Sequence, residues 1–381
     1  MESARHFMNI AVSEAFLLTA LGEDANMLYA NVSAAFRNEE TREIPRAGYG
    51  ESDSVALRTC PIPAPGRTHL AAMVPELLGR VLVDMERPVR RHLAAGEKVR
   101  LHVVAPPADA ARSRSLSSSL QLDWLRRHSE ALSRVACTTG DTQSATADLI
   151  DCCASLVAGD CDAAYFGGMD SLISPATFDE LFEQGRIPRD PAAGAVSPGE
   201  GVAFIGLRRI GESDTTAVRL TAAAAAPVES ESVSARAGAL ARSLTHAVSA
   251  PGGERIHITD VIHDLQGESA RVREWMLAQD RAWPNRLPES LRQAVQDGKL
   301  AEAANPDEIT VRVTGIAATL GCLGAASLPV SLAVGLGKLH CARAFRSFGC
   351  PMAAELLVVD AASSRSRGAV RLSLAEHTEE T

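Results

Sequence analysis

The sequence has no Cys-x-x-Cys pair, and none of its eight cysteines belongs to a cysteine and histidine set at zinc-ligand spacing. A structural zinc site and a disulfide framework both lack a basis, and the cysteines read as small buried hydrophobes. A basic excess is missing too: 38 Lys and Arg face 47 Asp and Glu, for a formal charge of -9. That balance leaves no electrostatic footprint for nucleic acid or for an anionic membrane surface. No uninterrupted apolar run approaches the roughly 20 residues that span a bilayer. The N-terminal stretch MESARHFMNIAVSEAFLLTALGEDANML lacks the basic region and small-residue cleavage site of a secretory signal, and Glu14 interrupts its apolar run. Short tandem repeats are absent. These absences predict a cytoplasmic protein with no cofactor, no metal, and no nucleic-acid or membrane partner.

What is present is a chain of 381 residues with 46% hydrophobic side chains, enough to fill two core-sized units. HFMNIAVSEAFLLTAL opens as an apolar strand, and KVRLHVVAPP and CDAAYFGGMDS are strand-length apolar runs that end in turn residues. Helix-like stretches such as SATADLIDCCASLVAGD lie between them. Alternation of this kind predicts an α/β protein with a mostly parallel sheet covered on both faces. The polar stretch at 106–119 reads as an exposed loop, ESESVSARAG at 229–238 as a boundary between halves, and the alanine run at 222–226 as the end of a strand.

GGMDSLISPATFDELFEQGRI followed by GAVSPGEGVAFIGLRR resembles the β-ketoacyl synthases, where a Gly-Gly turn closes one strand and Pro-Gly-Glu-Gly opens the next. IAVSEAFLLTALG resembles that family's first strand, LGCLGAASLPVSLAVGLG its Gly-Ala-Ala helix start, and RSFGCPMAAELLVV its final hairpin. The resemblance implies a thiolase-like five-layer α-β-α-β-α fold built from two similar halves, here 1–229 and 230–381, with the active site between them. A nucleophile at a tight strand-to-helix turn gains backbone N–H donors and a helix dipole, and small residues beside it leave room for substrate. Gly167 and Gly168 are therefore candidate substrate-binding positions, although close packing of a central sheet asks for small residues as well.

RVACTTG resembles the family's nucleophile segment, but its spacing argues against Cys137. In that family about 25 residues separate the catalytic cysteine from the Gly-Gly turn, a length fixed by one helix and one strand. Cys137 precedes Gly167 by 30 residues. Five extra helical residues would project about 7.5 Å further between ends pinned by the sheet. Counting back 25 reaches Thr142, or Gln143 with a slip of one, and leaves Cys137 buried and inert in the preceding strand. The resemblance gives Gln143 a meaning, since glutamine replaces the cysteine in chain-length-factor partners of polyketide synthases and in loading-module decarboxylases.

The family's first histidine maps to His263, 11 residues before Glu274 in VIHDLQGESARVREW, where Asp264, Leu265 and Gln266 replace the familiar Gly-Thr-Gly. The second maps to Gly321 and the lysine to Ile316, so both are missing; His340 follows the helix rather than preceding it. HDLQGE resembles the Asp-Leu-Asn-Gly-Glu segment of divergent synthase-like bacterial proteins that also lack the triad. Asp264 and Gln266 before Gly267 make a turn, with Arg271 and Glu274 set by helical spacing. Alternatively, Asp264 and Glu268 form a polar floor under the vanished site. Cys350 and Met352 fall where the family has glycine and asparagine, which puts bulk where a substrate would pass.

Two readings follow. In the first, the protein is a catalytically impaired synthase-like subunit that binds rather than condenses, either like a chain length factor or as an adaptor for a bacterial secretion system. In the second, a residual acyltransferase of the 3-oxoacyl-ACP synthase type, or a malonyl-thioester decarboxylase, works through Thr142 or Gln143 with His263. The resemblance implies a homodimer, or a heterodimer with a complete ketosynthase, paired through SRVACTTG. Acyl carrier protein or a secretion-system protein are the further partners it suggests.

Overall fold

The computed structural model describes residues 3–45, 54–63, 74–110, 113–141, 145–187, 196–211, 217–256, 258, 260–265, 268–283, 297–298, 310–346 and 354–375. The strands are β1 (Ser3–His6), β2 (Ile10–Thr19), β3 (Glu40–Pro45), β4 (Ser54–Thr59), β5 (Val99–Ala105), β6 (Ala136–Asp141), β7 (Ala163–Ser171), β8 (Glu200–Arg209), β9 (Val218–Pro227), β10 (Asp260–His263), β11 (Arg312–Gly315), β12 (Glu355–Asp360) and β13 (Ser366–Leu374). The helices are α1 (Ala25–Ser33), α2 (Val74–Ala94), α3 (Ser113–Leu116), α4 (Ser118–His128), α5 (Glu130–Ser133), α6 (Ala145–Ala158), α7 (Pro175–Glu183), α8 (Val233–Ala247), α9 (Ser269–Ala282), α10 (Ala317–Leu320) and α11 (Ser327–Arg346).

The strands fall into two sets with one plan. The first runs β2-β8-β7-β5-β6 and the second β9-β13-β12-β10-β11. In each set the first two pairings are antiparallel and the last two parallel, so the sheet is mixed rather than mostly parallel as the alternation of elements suggests, because β8 and β13 run against both of their neighbours. Among the described residues the strands of the two sets pair where Ala11 and Val12 of β2 meet Arg219 and Val218 of β9. The second set thus begins at Val218, ahead of the Ser-rich stretch that reads as a boundary in the sequence. That stretch leads into α8, where Ser232 caps the helix by accepting from the Ala235 N–H.

Helix α6 packs on β7 and β8 of the first set and on β9 and β13 of the second, and α11 likewise touches strands of both. The largest core cluster lies around these two helices. Helices α2, α4 and α5 cover the outer face of the first set, and α8 and α9 that of the second. The order of layers is α-β-α-β-α, as expected from the sequence. Alanine has little intrinsic preference for strands, yet Ala222–Ala226 sit buried in β9 between α6 and α8. Small side chains there let helices approach from both faces.

Two further sequence expectations need correction. The polar stretch at 106–119 is partly helical, because Ser117 caps α4 by accepting from the Leu120 N–H. The final hairpin is β12–β13, turning at 361–365; RSFGCPMAAELLVV supplies its first strand through Glu355–Val359, and the second strand follows it in the sequence. Helix 324–346 is long and apolar enough by composition to cross a membrane, yet 83% of its most apolar window is buried between the two strand sets.

Candidate functional site

The carboxyl ends of β7, β10 and β12 and the N-terminal ends of α6 and α11 frame the site. β6 stops at Asp141 and α6 starts at Ala145, so strand and helix bracket residues 142–144. Thr142 and Gln143 themselves, like Cys350 and Met352, lie outside the described residues.

Cys137 lies within β6, four residues before the strand ends at Asp141 and away from the start of α6. It is half-buried rather than fully buried, because among the described residues β6 is the edge of the sheet, paired with β5 alone. Burial pushes its thiol up, against the opposing charge of Arg126.

His263 ends β10 with its ring buried and 4.7 Å from that of Trp275. The Leu265 N–H donates to its Nδ1 at 3.2 Å, which leaves the proton of the neutral ring on Nε2. Burial pushes its pKa down to about 4, so the imidazole is neutral at pH 7.

Asp264 follows, with a side chain 3% exposed, and Arg271 lies 3.9 Å from its Oδ2. Neither carboxylate oxygen has a hydrogen-bond donor among the described residues. Glu268 is well served by contrast: Arg186 donates at 2.8 Å and Arg271 lies at 3.0 Å. Burial alone would raise the Glu268 carboxyl, but the two arginines hold it below its ordinary value. Asp264 and Glu268 both line a cavity of about 270 Å³. Arg271 and Glu274 take different partners, since Glu274 is paired with Arg236 at 3.1 Å and Arg367 at 2.5 Å.

Gly321 has φ 72° and ψ -173°, a combination that only glycine tolerates. A β-carbon there would stand 2.6 Å from the Ser197 carbonyl oxygen. No histidine fits at this position without a shift of the backbone. Ile316 is buried in the central core, and its N–H donates to the His263 carbonyl at 2.9 Å. The adjacent Cys322 lines both the first cavity and a neighbouring one of about 650 Å³, and the Arg186 Nη2 lies 3.8 Å from its Sγ.

Gly167 and Gly168 are not a turn. They lie inside β7, which continues to Ser171, and their missing side chains serve packing. A β-carbon on Gly167 would stand 2.1 Å from the Ala203 carbonyl oxygen, and one on Gly168 2.1 Å from that of Val104. Neither lines the two cavities just described. Gly199 and Glu200 do open β8 as the sequence suggests, and the buried Glu200 accepts from the Ile62 N–H and the Ser171 hydroxyl.

Two aspartates escaped the sequence reading. Asp360, at the end of β12, accepts on Oδ2 from the N–H and hydroxyl of Thr146 at 3.2 and 2.7 Å, in the first turn of α6. Asp170, near the end of β7, accepts on Oδ2 from the Ala325 N–H at 2.8 Å, at the turn that leads into α11. Burial pushes the Asp360 carboxyl up to about 6; the Thr146 hydrogen bond opposes this and the Asp264 charge adds to it. The signal available was an acidic residue closing an otherwise apolar strand, in GGMDS and in LLVVD.

No family model and no curated protein sequence matches the chain. Solved structures do. An oxazolomycin ketosynthase domain of Streptomyces albus matches 98% of this chain over 75% of its own length, at 11% identity and a TM-score of 0.67. A ketosynthase in complex with its chain length factor from Xenorhabdus doucetiae matches 96% of this chain over 98% of its own, at 12% identity and a TM-score of 0.67. The ishigamide ketosynthase/chain length factor matches 97% over 99%, at 15% identity and a TM-score of 0.61. The chain has the thiolase-like fold of ketosynthases and chain length factors, in a sequence far removed from theirs.

Proposed function

We propose that this protein is a non-condensing, ketosynthase-like subunit that acts by binding a partner, in the manner of a chain length factor. The observation that carries this reading is the Asp360 carboxylate seated on the first turn of α6. A helix N-terminus favours an anion and would serve a thiolate or an oxyanion. Here the protein's own carboxylate takes that place, so a second developing negative charge meets repulsion. Gly321 and Ile316 add to the case, since neither position offers a proton donor side chain. The known structures of this fold include a ketosynthase in complex with its chain length factor and a ketosynthase with an acyl-carrier protein. They favour a ketosynthase or a carrier protein over a secretion component as partner.

The edge strand β6 supports pairing. Its outer side has no strand beside it among the described residues, and an unpaired edge invites another chain. The proposed partner is a second copy or a complete ketosynthase.

A second reading rests on His263, whose Nε2–H is free of the bond that fixes Nδ1 and could polarise a thioester carbonyl. Incubation with malonyl and acyl thioesters separates the two. The binding reading expects no condensed product and no carbon dioxide. Carbon dioxide release that disappears in His263→Ala would replace it with a decarboxylase.

A further inference from the structure

We propose that the cavity between Asp264 and Arg58 binds a small zwitterion, with an ammonium group on Asp264 and a carboxylate toward Arg37 and Arg58. The inner end of the cavity is the reason for the cation. Asp264 is 3% exposed, and both of its oxygens lack a donor among the described residues. Burying an ionised carboxylate without hydrogen bonds is costly, so such a group either marks a fault or awaits a donor. The one basic side chain in ion-pair reach of it among the described residues, Arg271, is shared with Glu268 and donates it no hydrogen bond. Arg186 is bonded to Glu268, and Arg271 sits closer to Glu268, at 3.0 Å, than to Asp264, at 3.9 Å. A ligand that brings its own N–H donors and positive charge completes the site.

The mouth has the opposite character. Glu39 lies between Arg37 at 3.6 Å and Arg58 at 3.9 Å, which leaves one positive charge in excess. Both arginines are well exposed, with 49% and 67% of their side chains accessible. A volume of about 270 Å³ suits a molecule of amino-acid size. A cation inside and an anion outside describe a free amino acid or a short ω-amino acid. Asp264 also acts on the neighbouring site, where its charge raises the Asp360 carboxyl, but binding a zwitterion needs neither a nucleophile nor its absence.

Calorimetric titration of the full-length protein with β-alanine, 4-aminobutyrate and 6-aminohexanoate tests the proposal, with propylamine and propionate as single-charge controls. At least one of the amino acids should bind saturably and more tightly than either control. Asp264→Asn should weaken that binding about tenfold or more, the loss of a charged hydrogen bond. Arg58→Gln, at a side chain 67% exposed, should reduce the amino acid to the affinity of propylamine; it carries the test on its own if Asp264→Asn does not fold. Absence of saturable binding by all three amino acids, equal binding to Asp264→Asn, or binding of propionate alone would overturn the proposal. Each of these results leaves the thioester assay unaffected, so the two readings fail separately.

Discussion

Asp170 and Asp360 stand at matching ends of β7 and β12, and each hydrogen-bonds the start of the central helix that belongs to the other strand set. The exchange ties the two sets together through four elements. It also places a glycine opposite each aspartate, Gly201 and Gly368. A β-carbon on Gly368 would collide with Thr146, so the hairpin is shaped around the Asp360 contact.

Asp360→Asn should stabilise the protein at neutral pH. The folded carboxyl titrates at about 6, above its ordinary 3.8, so the folded state holds the proton more tightly than the unfolded chain. Stability from this group therefore falls as pH rises from about 4 to 6, and the full cost of about 3 kcal/mol is present above that. Asparagine keeps an acceptor for Thr146 and removes the charge. Urea unfolding at pH 4 and pH 7.5 should show the variant gaining over the parent only at the higher pH; an equal difference at both would remove the charge as the cause.

Breaking the buried pair of Glu274 and Arg367 should be severe. Both side chains are at most 4% exposed, and Glu274→Ala leaves a buried guanidinium with no carboxylate from α9. The expected loss is about 3–5 kcal/mol in unfolding free energy. Glu274→Gln, which retains hydrogen bonding, should lose less, and a loss under about 1 kcal/mol for alanine would show that the pair is neutral in balance.

Cys137 should resist alkylation. Its thiol is half-buried, raised by burial, and set within a strand rather than at a helix start. Iodoacetamide at pH 8 should label it slowly in the native protein and fully after unfolding. Rapid stoichiometric labelling of the folded protein, mapped by mass spectrometry, would restore it as a nucleophile.

The edge strand makes a prediction about mass. Light scattering at micromolar concentration should give about twice the 40.2 kDa chain, or a heterodimer once a complete ketosynthase is added. Thr139→Lys places a charge at an exposed position of β6 and should shift either assembly toward the monomer without lowering the melting temperature. A monomer under both conditions would leave β6 as a bare edge and remove the pairing proposal.

Much of the fold was legible because the pattern is local. Apolar runs of strand length separated by helical periods announce an α/β protein, while the five-layer plan is what the resemblance carried by GGMDS, PGEG and LGCLGAAS implies. Long-range polar contacts leave no such trace. The bond between Asp360 and Thr146 joins residues 214 apart, and nothing near Thr146 announces it. The Ser and Arg stretch at 106–119 misled for a different reason: polarity suggests a loop, while one serine in capping position is enough to start α4. The Gly-Gly pair misled because a glycine that admits a neighbouring backbone reads the same as a glycine that turns.

Gly321 makes a histidine hard to install at the position where the family resemblance would put one. A single codon change would place a side chain in a backbone conformation that rejects it, against the Ser197 carbonyl, before any proton could be donated. Room for such a side chain requires the segment from Ser197 to Gly199 and the loop around Gly321 to be rebuilt together. An engineer who wants a proton donor at this point of the scaffold should therefore graft the loop rather than the residue.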